Sequence, residues 1–343
     1  MSLARAELRR LCKRRFTRWM LVFVVLILGA TVAGIAASNH APDSAAVAAA
    51  EERAQRQYEE NLRAIEHDIA ECERARAAGE EDAAGGRAWP DDCDEMRQWA
   101  AGPDEMARWH LPPTFEFRAD FEPLITAFTA ILALFAFIVG ASFIGAEWRS
   151  GGMTNLLLWQ PRRLLVLSTK LATLVAALAG LVVLLGAAWT AAFWQVATYR
   201  GITDTMTSGT WQSLGLTGLR GTALVLAAGA VGFAVSSLGR HTATALGAAI
   251  GAFIVGVLGA QIVAFAVDAR YPQAWVWTSY LQAWMHKSVT FHDFRSCEPT
   301  AGLGPCEPAT MEVTWQAAGV GILAVVALLV GAAMWHIHRR DVT

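Results

Sequence analysis

Six long apolar stretches constrain the fold of this 343-residue chain more than any other feature. A helix needs about 20 apolar residues to cross the hydrocarbon core of a bilayer, where lipid cannot satisfy an open backbone. The stretches also lack the alternating pattern of barrel strands. We therefore predict an all-α polytopic membrane protein with six transmembrane helices, at Trp19–Ala37, Leu124–Gly145, Leu164–Trp194, Leu219–Leu238, Ala243–Val267 and Trp315–Trp335.

The composition agrees with a membrane protein. Charged residues make up 17% of the chain, compared with about 25% in soluble domains. They cluster between the apolar stretches, so the net charge of -2 says little about partners. The first apolar stretch is longer than the core of a secretory signal, about 7–15 residues, so we favour a retained membrane anchor over a cleaved signal.

The basic residues predict the orientation of the chain. Fourteen of the 28 lie in short segments on one predicted side: before the first span, after the second, between the fourth and fifth, and in the C-terminal tail. Basic residues in short loops favour the cytoplasmic side. We therefore expect cytoplasmic N and C termini.

Four of the five cysteines fall on the opposite, extracellular side. Disulfides persist outside the reducing cytosol, and four cysteines allow three pairings. We favour Cys72–Cys93 and Cys297–Cys306, which close the shortest loops, over four free thiols. Without a paired C-x-x-C spacing, we expect no metal site.

The chain divides into four regions: residues 1–18, a cytoplasmic amphipathic interface helix; 19–38, the first transmembrane helix; 39–121, an extracellular helical insert; and 122–343, transmembrane helices two to six, with a cytoplasmic loop at 147–163 and an extracellular loop at 268–313. In the interface helix, Leu3, Leu8, Leu11 and Phe16 are expected to face lipid.

The two extracellular regions have their own patterns. In the insert, a heptad spacing predicts a helix over Ser44–Ala78, with Cys93, Met96 and Trp99 on the matching face of a second short helix. Gly79–Pro90 is expected to be a loop. The aromatic stretch Tyr271–Met285 predicts an interfacial or re-entrant helix, followed by a Pro/Gly-rich loop.

The sequence lacks the motifs of several enzyme and carrier classes. It has no G-x-x-x-x-G-K-[ST], H-E-x-x-H or G-x-S-x-G motif, so we expect no catalytic residue. Lys170 is a charged residue inside the third apolar stretch, near its inner end, and we expect it to snorkel to the interface. We assign Gln261 to an interhelical hydrogen bond, and Gly247 and Gly251 to packing within the chain rather than to a dimer contact.

The cytoplasmic loop has a distinctive pattern from Glu147 to Lys170. Gly151 and Gly152 should end the second span, and Pro161 should end a short amphipathic helix at Met153–Trp159. Such a helix suits docking into a groove of a partner.

This loop resembles the E-W-R-x-G … P-R-R … K signature of type-two ATP-binding-cassette (ABC) transporter permeases, especially actinobacterial ones. The tail Arg339-Arg340-Asp341 is similar to their common ending. The six spans and the aromatic loop before the last span also match. The resemblance covers nearly all of the chain except the insert, which is longer than usual.

The resemblance implies a permease of the bacterial plasma membrane with no cofactor of its own. ATP and Mg²⁺ would bind a separate ATPase subunit, a second permease copy or paralogue would complete the path through the lipid bilayer, and no nucleic acid is expected. Phe128, Phe135 and Gln261 are the candidate substrate contacts, although for Phe128 and Phe135 taken singly we favour packing or lipid contact. The ATPase-coupling residues would be Glu147, Arg149, Gly151, Gly152, Met153, Leu156, Leu157, Pro161, Arg162 and Arg163.

The resemblance implies an export permease driven by a separate ATPase, with an unspecified cargo, and this is the interpretation that we favour. The alternative is a non-transporting membrane sensor or ligand-binding protein that acts through the extracellular hairpin 44–100. An integral membrane enzyme would need a polar cluster at one membrane depth, and the sequence predicts none.

Overall fold

A computed structural model contains six helices long and apolar enough to cross a membrane, which confirms the predicted all-α fold. It describes residues 3–40, 42–78, 92–99, 102–111, 113–153, 155, 162–203, 205–293 and 308–339. An interfacial helix, Leu3–Lys13, precedes the spans. Spans one to six are Arg15–Ser38, Phe117–Arg149, Arg163–Arg200, Ser208–Gly239, Thr242–Ala266 and Trp315–Arg339.

The chain forms two compact units. The first comprises Met1–Val32, Arg118–Phe193 and Thr205–Thr343, and the second comprises Ala33–Phe117 and Trp194–Asp204. In the first unit, the second and fourth spans form the core. A Cβ atom at Gly140 would clash with the backbone of Gly229, and one at Gly232 would clash with that of Phe137. Glycine at these positions therefore lets the two helices pack backbone against backbone.

The fifth span is interrupted by a π-helical segment, Ile254–Gly259, between Thr242–Phe253 and Ala260–Ala266. A Cβ atom at Gly247 or Gly251 would meet nothing within 4 Å. The expectation that this glycine pair packs within the chain is therefore wrong for the part of the chain that the structure describes.

The second unit contains most of the insert 39–121. Its long helix, Ser44–Ala78, has the predicted bounds, and a 3₁₀ helix follows at Cys93–Trp99. The predicted disulfide between Cys72 and Cys93 is present. Around it, a small core contains Ile65, Ile69 and Met96.

Two further elements complete the second unit. The helix Pro103–His110 packs on the long helix, with His110 Nε2 2.8 Å from Gln57 Oε1. Strands β1, Phe115–Glu116, and β2, Gly201–Ile202, form a short parallel pair. The predicted loop Gly79–Pro90 lies outside the described residues.

The loop before the sixth span contains an unpredicted β-hairpin. A 3₁₀ turn, Pro272–Trp275, and a helix, Trp277–His286, occupy the predicted aromatic region. Strand β3, Ser288–Asp293, then pairs antiparallel with β4, Ala309–Thr314. The loop that they enclose contains Cys297 and Cys306, which lie outside the described residues.

Candidate functional site

The second span ends with a glycine turn, as the sequence predicts. Its last helical residue is Arg149, and Gly151 follows with a φ of 71°. This left-handed conformation strains residues with a Cβ atom, so glycine suits the position. Met153 is fully buried within the chain, whereas the side chains of Arg149 and Arg162 are exposed. The predicted coupling residues Leu156, Leu157 and Pro161 lie outside the described residues.

Lys170 does not snorkel, contrary to the expectation from its sequence position. It lies about two turns into the third span and has no solvent exposure. Its Nζ atom is 2.7 Å from Glu7 Oε2 and 2.7 Å from Glu147 Oε2. A buried ammonium group is stable only when paired, and two carboxylates provide the pairing here.

Arg14 supplies the second cation of this group. It lies between the interfacial helix and the first span, and its Nη2 atom is 3.3 Å from Glu147 Oε1. Its Nη1 donates to the backbone oxygens of Ser142 and Phe143, at 3.0 and 3.2 Å. Burial lowers the pKa of the Arg14 guanidinium, while Glu147 and Glu7 act to raise this pKa. Arginine nevertheless remains protonated at neutral pH.

An aromatic ring also contacts both cations. The ring of Phe143 lies 5.2 Å from Arg14 Cζ and 5.4 Å from Lys170 Nζ, and Phe143 is itself buried. Cations within about 6 Å of a ring centroid are attracted by its quadrupole. We call Glu7, Arg14, Phe143, Glu147 and Lys170 the charge cluster.

The interfacial helix presents one face to this cluster. Glu7 and Leu11, four residues apart, are 1% and 6% exposed, so they share a face that packs on the protein. Leu8 and Phe16 are exposed, as expected for lipid contact. The prediction that Leu11 faces lipid is therefore wrong, because its side chain packs beside Glu7 against the protein.

The charge cluster connects the two ends of the loop 147–163. Glu147 is near the end of the second span, Lys170 is near the start of the third, and Glu7 and Arg14 belong to the N-terminal segment. Removing one member of a buried ion pair costs about 3–5 kcal/mol, because a charge is left uncompensated. The cluster therefore resists separation of these segments.

Sequence reasoning identified Glu147 but missed its partners Arg14 and Lys170, and it missed Glu7, which shares Lys170 with Glu147. A signal was present, since a lone lysine in an apolar span is costly unless an acid pairs with it. Glu7 is the single acid in the otherwise basic segment before the first span. That exception to the local charge pattern could have suggested the pairing.

The predicted substrate contacts have three different environments. Phe128 is buried, and its ring centroid lies 5.5 Å from that of Trp189 beside a cavity. Phe135 is also buried, but neither it nor Gln261 lines that cavity. Gln261 is exposed on the fifth span. Its side chain has no hydrogen-bond partner within the described chain, so the predicted interhelical hydrogen bond is not present there.

Comparison with known proteins gives one match. A family model described as "ABC-2 family transporter protein" matches residues 1–330, which is nearly the whole chain. No curated protein and no solved structure matches the chain.

Proposed function

This chain belongs to the ABC-2 family of transporter proteins, and we propose that it is the permease subunit of an exporter driven by a separate ATPase. The family and the six apolar helices make it a multi-pass membrane subunit of an ABC transporter. We propose three further properties: the transporter moves its cargo outwards, a partner ATPase supplies the energy, and the loop 147–163 couples the two subunits.

The charge cluster is the observation that best supports coupling through this loop. Glu147 and Lys170 flank the loop, and Glu7 and Arg14 connect both flanks to the interfacial helix. A partner that displaces the loop would thus move the second span, the third span and the interfacial helix together. Because separating buried charges is costly, this displacement is transmitted rather than absorbed locally.

The loop itself offers the partner exposed basic residues. Arg149 and Arg162 are exposed on either side of its predicted helix, and Met153 is buried and anchors the segment to the chain. In the proposal, ATP and Mg²⁺ bind the partner ATPase, and this chain contributes no catalytic residue. Binding of ATP would bias the permease between two conformations that open to opposite sides.

A second permease copy or a related chain would complete the transport path. The face of the fifth span that carries Gly247 and Gly251 is open in the described chain. A G-x-x-x-G pair lets two helices approach closely. We propose that this face contacts the second permease chain.

Co-purification with the ATPase tests the proposal. We expect the chain, purified from its native membrane, to carry an ATP-hydrolysing subunit, and Arg149→Glu with Arg162→Glu to abolish this association. Both side chains are exposed, so the substitutions leave the permease folded. Arg53→Glu, on the exposed surface of the insert helix, is the matched control and should retain the subunit.

Two results would contradict the proposal. The first is purification of the folded chain without any ATP-hydrolysing subunit. The second is a loop double variant that retains as much ATPase as the Arg53→Glu control, which would mean that the partner docks elsewhere.

A further inference from the structure

A cavity of about 280 Å³ lies among the second, third and fourth spans. It lies near the start of the second span, whereas Glu147 is near the end of that span, so the cavity is separate from the charge cluster. Its volume is nearly twice that of an engineered apolar cavity that binds benzene. The space is therefore large enough for part of an organic molecule.

Glycines create much of this space. A Cβ atom at Gly215 or Gly218 of the fourth span would meet nothing within 4 Å, and one at Gly186 of the third span would touch only the Phe128 ring, at 3.9 Å. Opposite them is an aromatic wall in which the Trp189 ring centroid lies 5.5 Å from that of Phe128. The site thus combines an open glycine face with a rigid aromatic face.

One buried polar group in this wall lacks a partner. Trp189 is 5% exposed, and its Nε1–H donates to no acceptor in the part of the chain that the structure describes. An unsatisfied buried donor is destabilising, so native structures usually pair such groups. The Trp189 N–H is therefore a specific point at which an acceptor atom of a ligand would bind.

Three hydroxyl groups also line the cavity. Thr129, Thr190 and Thr222 each donate to the backbone oxygen four residues earlier, at 2.8, 2.9 and 2.9 Å. Their protons are used within their own helices, and their oxygen lone pairs remain as acceptors. The Trp189 N–H is thus the donor that this cavity offers to a ligand within mainly apolar walls.

The rim of the cavity is apolar and exposed. Val183 and Leu219 are 67% and 66% exposed, and Trp211 is 42% exposed. All three belong to membrane-spanning helices, where exposed apolar side chains meet acyl chains.

We propose that this cavity binds one acyl chain of a bilayer amphiphile, with the acyl carbonyl oxygen accepting the Trp189 N–H. The alkyl part of the chain lies between the glycine face and the Phe128 ring. The site does not depend on the ATPase or on the loop 147–163, so it goes beyond the proposed export function.

Photo-crosslinking of the full-length protein in nanodiscs tests this site. The probe is a fatty-acid methyl ester with a diazirine on its alkyl chain, and mass spectrometry locates the labelled residues. We expect labelling to concentrate on 182–190 and 211–225. Gly218→Leu places a side chain in the cavity and should reduce this labelling at least tenfold, whereas Gly321→Leu, at an open glycine of the sixth span, should not change it.

Trp189→Phe tests the hydrogen bond separately. It keeps an aromatic ring and removes the donor, so the affinity for the ester should fall about tenfold. The affinity for a diazirine-labelled alkane, which has no carbonyl, should not fall. This variant also keeps the proposal testable if Gly218→Leu fails to fold.

The proposal is overturned if labelling spreads evenly over the exposed spans, or if folded Gly218→Leu is labelled as strongly as the unmodified protein. Equal affinities of Trp189→Phe and the unmodified protein for the ester would also overturn it. Each of these results leaves co-purification of an ATPase unaffected, so failure here is distinct from failure of the proposed function.

Discussion

At the scale of single residues, Lys170 illustrates how burial changes the role of a charge. An exposed lysine near a span end would extend to the lipid headgroups. Lys170 instead lies between two carboxylates, each 2.7 Å from its Nζ atom. Arg14 compensates part of the negative charge of Glu147, because its Nη2 atom lies 3.3 Å from Glu147 Oε1. Each of the two acids therefore has two cationic partners within the protein: Lys170 and Arg10 for Glu7, and Lys170 and Arg14 for Glu147.

Lys170→Met should lower the free energy of unfolding by about 3–5 kcal/mol, because Glu7 and Glu147 lose their shared cation. Adding Glu7→Gln should recover part of this loss, since Glu147 still has Arg14 as a partner. Denaturant titration of the purified protein in detergent measures both variants. Lys287→Met removes an exposed lysine and should change stability by less than about 0.5 kcal/mol.

The outcome of the double variant is decisive for this cluster. If the stability losses from Lys170→Met and Glu7→Gln simply add, the two residues are not coupled, and the ion pair contributes nothing measurable.

The sequence predicted the presence of these charges but not their pairing. Arg14 and Glu147 are 133 residues apart, and only tertiary packing brings them together. Hydropathy places Lys170 within an apolar stretch but does not say which face of that helix is buried. By contrast, Cys72–Cys93 could be predicted because the two residues are only 21 apart on segments with matching apolar faces.

At the scale of elements, the insert and the loop before the sixth span differ in how well local sequence specified them. The insert helix Ser44–Ala78 was predicted with its observed bounds because its apolar residues repeat with a helical period. Strands β3 and β4 were missed, since six-residue strands gain most of their stability from pairing across a loop. The π-helical segment in the fifth span likewise has no signal in local hydropathy.

The β3–β4 hairpin makes the predicted Cys297–Cys306 disulfide testable. Asp293 and Ala309 are paired in register at the end of the ladder, so the loop that contains both cysteines starts and ends at one place. Digestion without reduction should give one peptide pair linked through Cys72–Cys93 and another linked through Cys297–Cys306. Peptides that join an insert cysteine to a loop cysteine would contradict this pairing.

At the scale of the whole molecule, the coupling proposal depends on the side of the membrane that carries the charge cluster. The proposed ATPase and the cluster must lie on the same, cytoplasmic side. The density of basic residues favours this orientation, and the disulfide of the insert supports an extracellular position for Cys72 and Cys93. These two arguments are independent, since one concerns membrane insertion and the other concerns redox environment.

Cys12 provides a native probe of this orientation, because it is a free, exposed cysteine on the interfacial helix. In a variant with Cys297→Ser and Cys306→Ser, we expect a membrane-impermeant maleimide to label Cys12 only after the cells are permeabilised. Arg53→Cys on the insert, in the same background, should be labelled in intact cells. If intact cells label Cys12, the interfacial helix and the charge cluster face outwards, where no ATP-driven partner can pull on the loop 147–163.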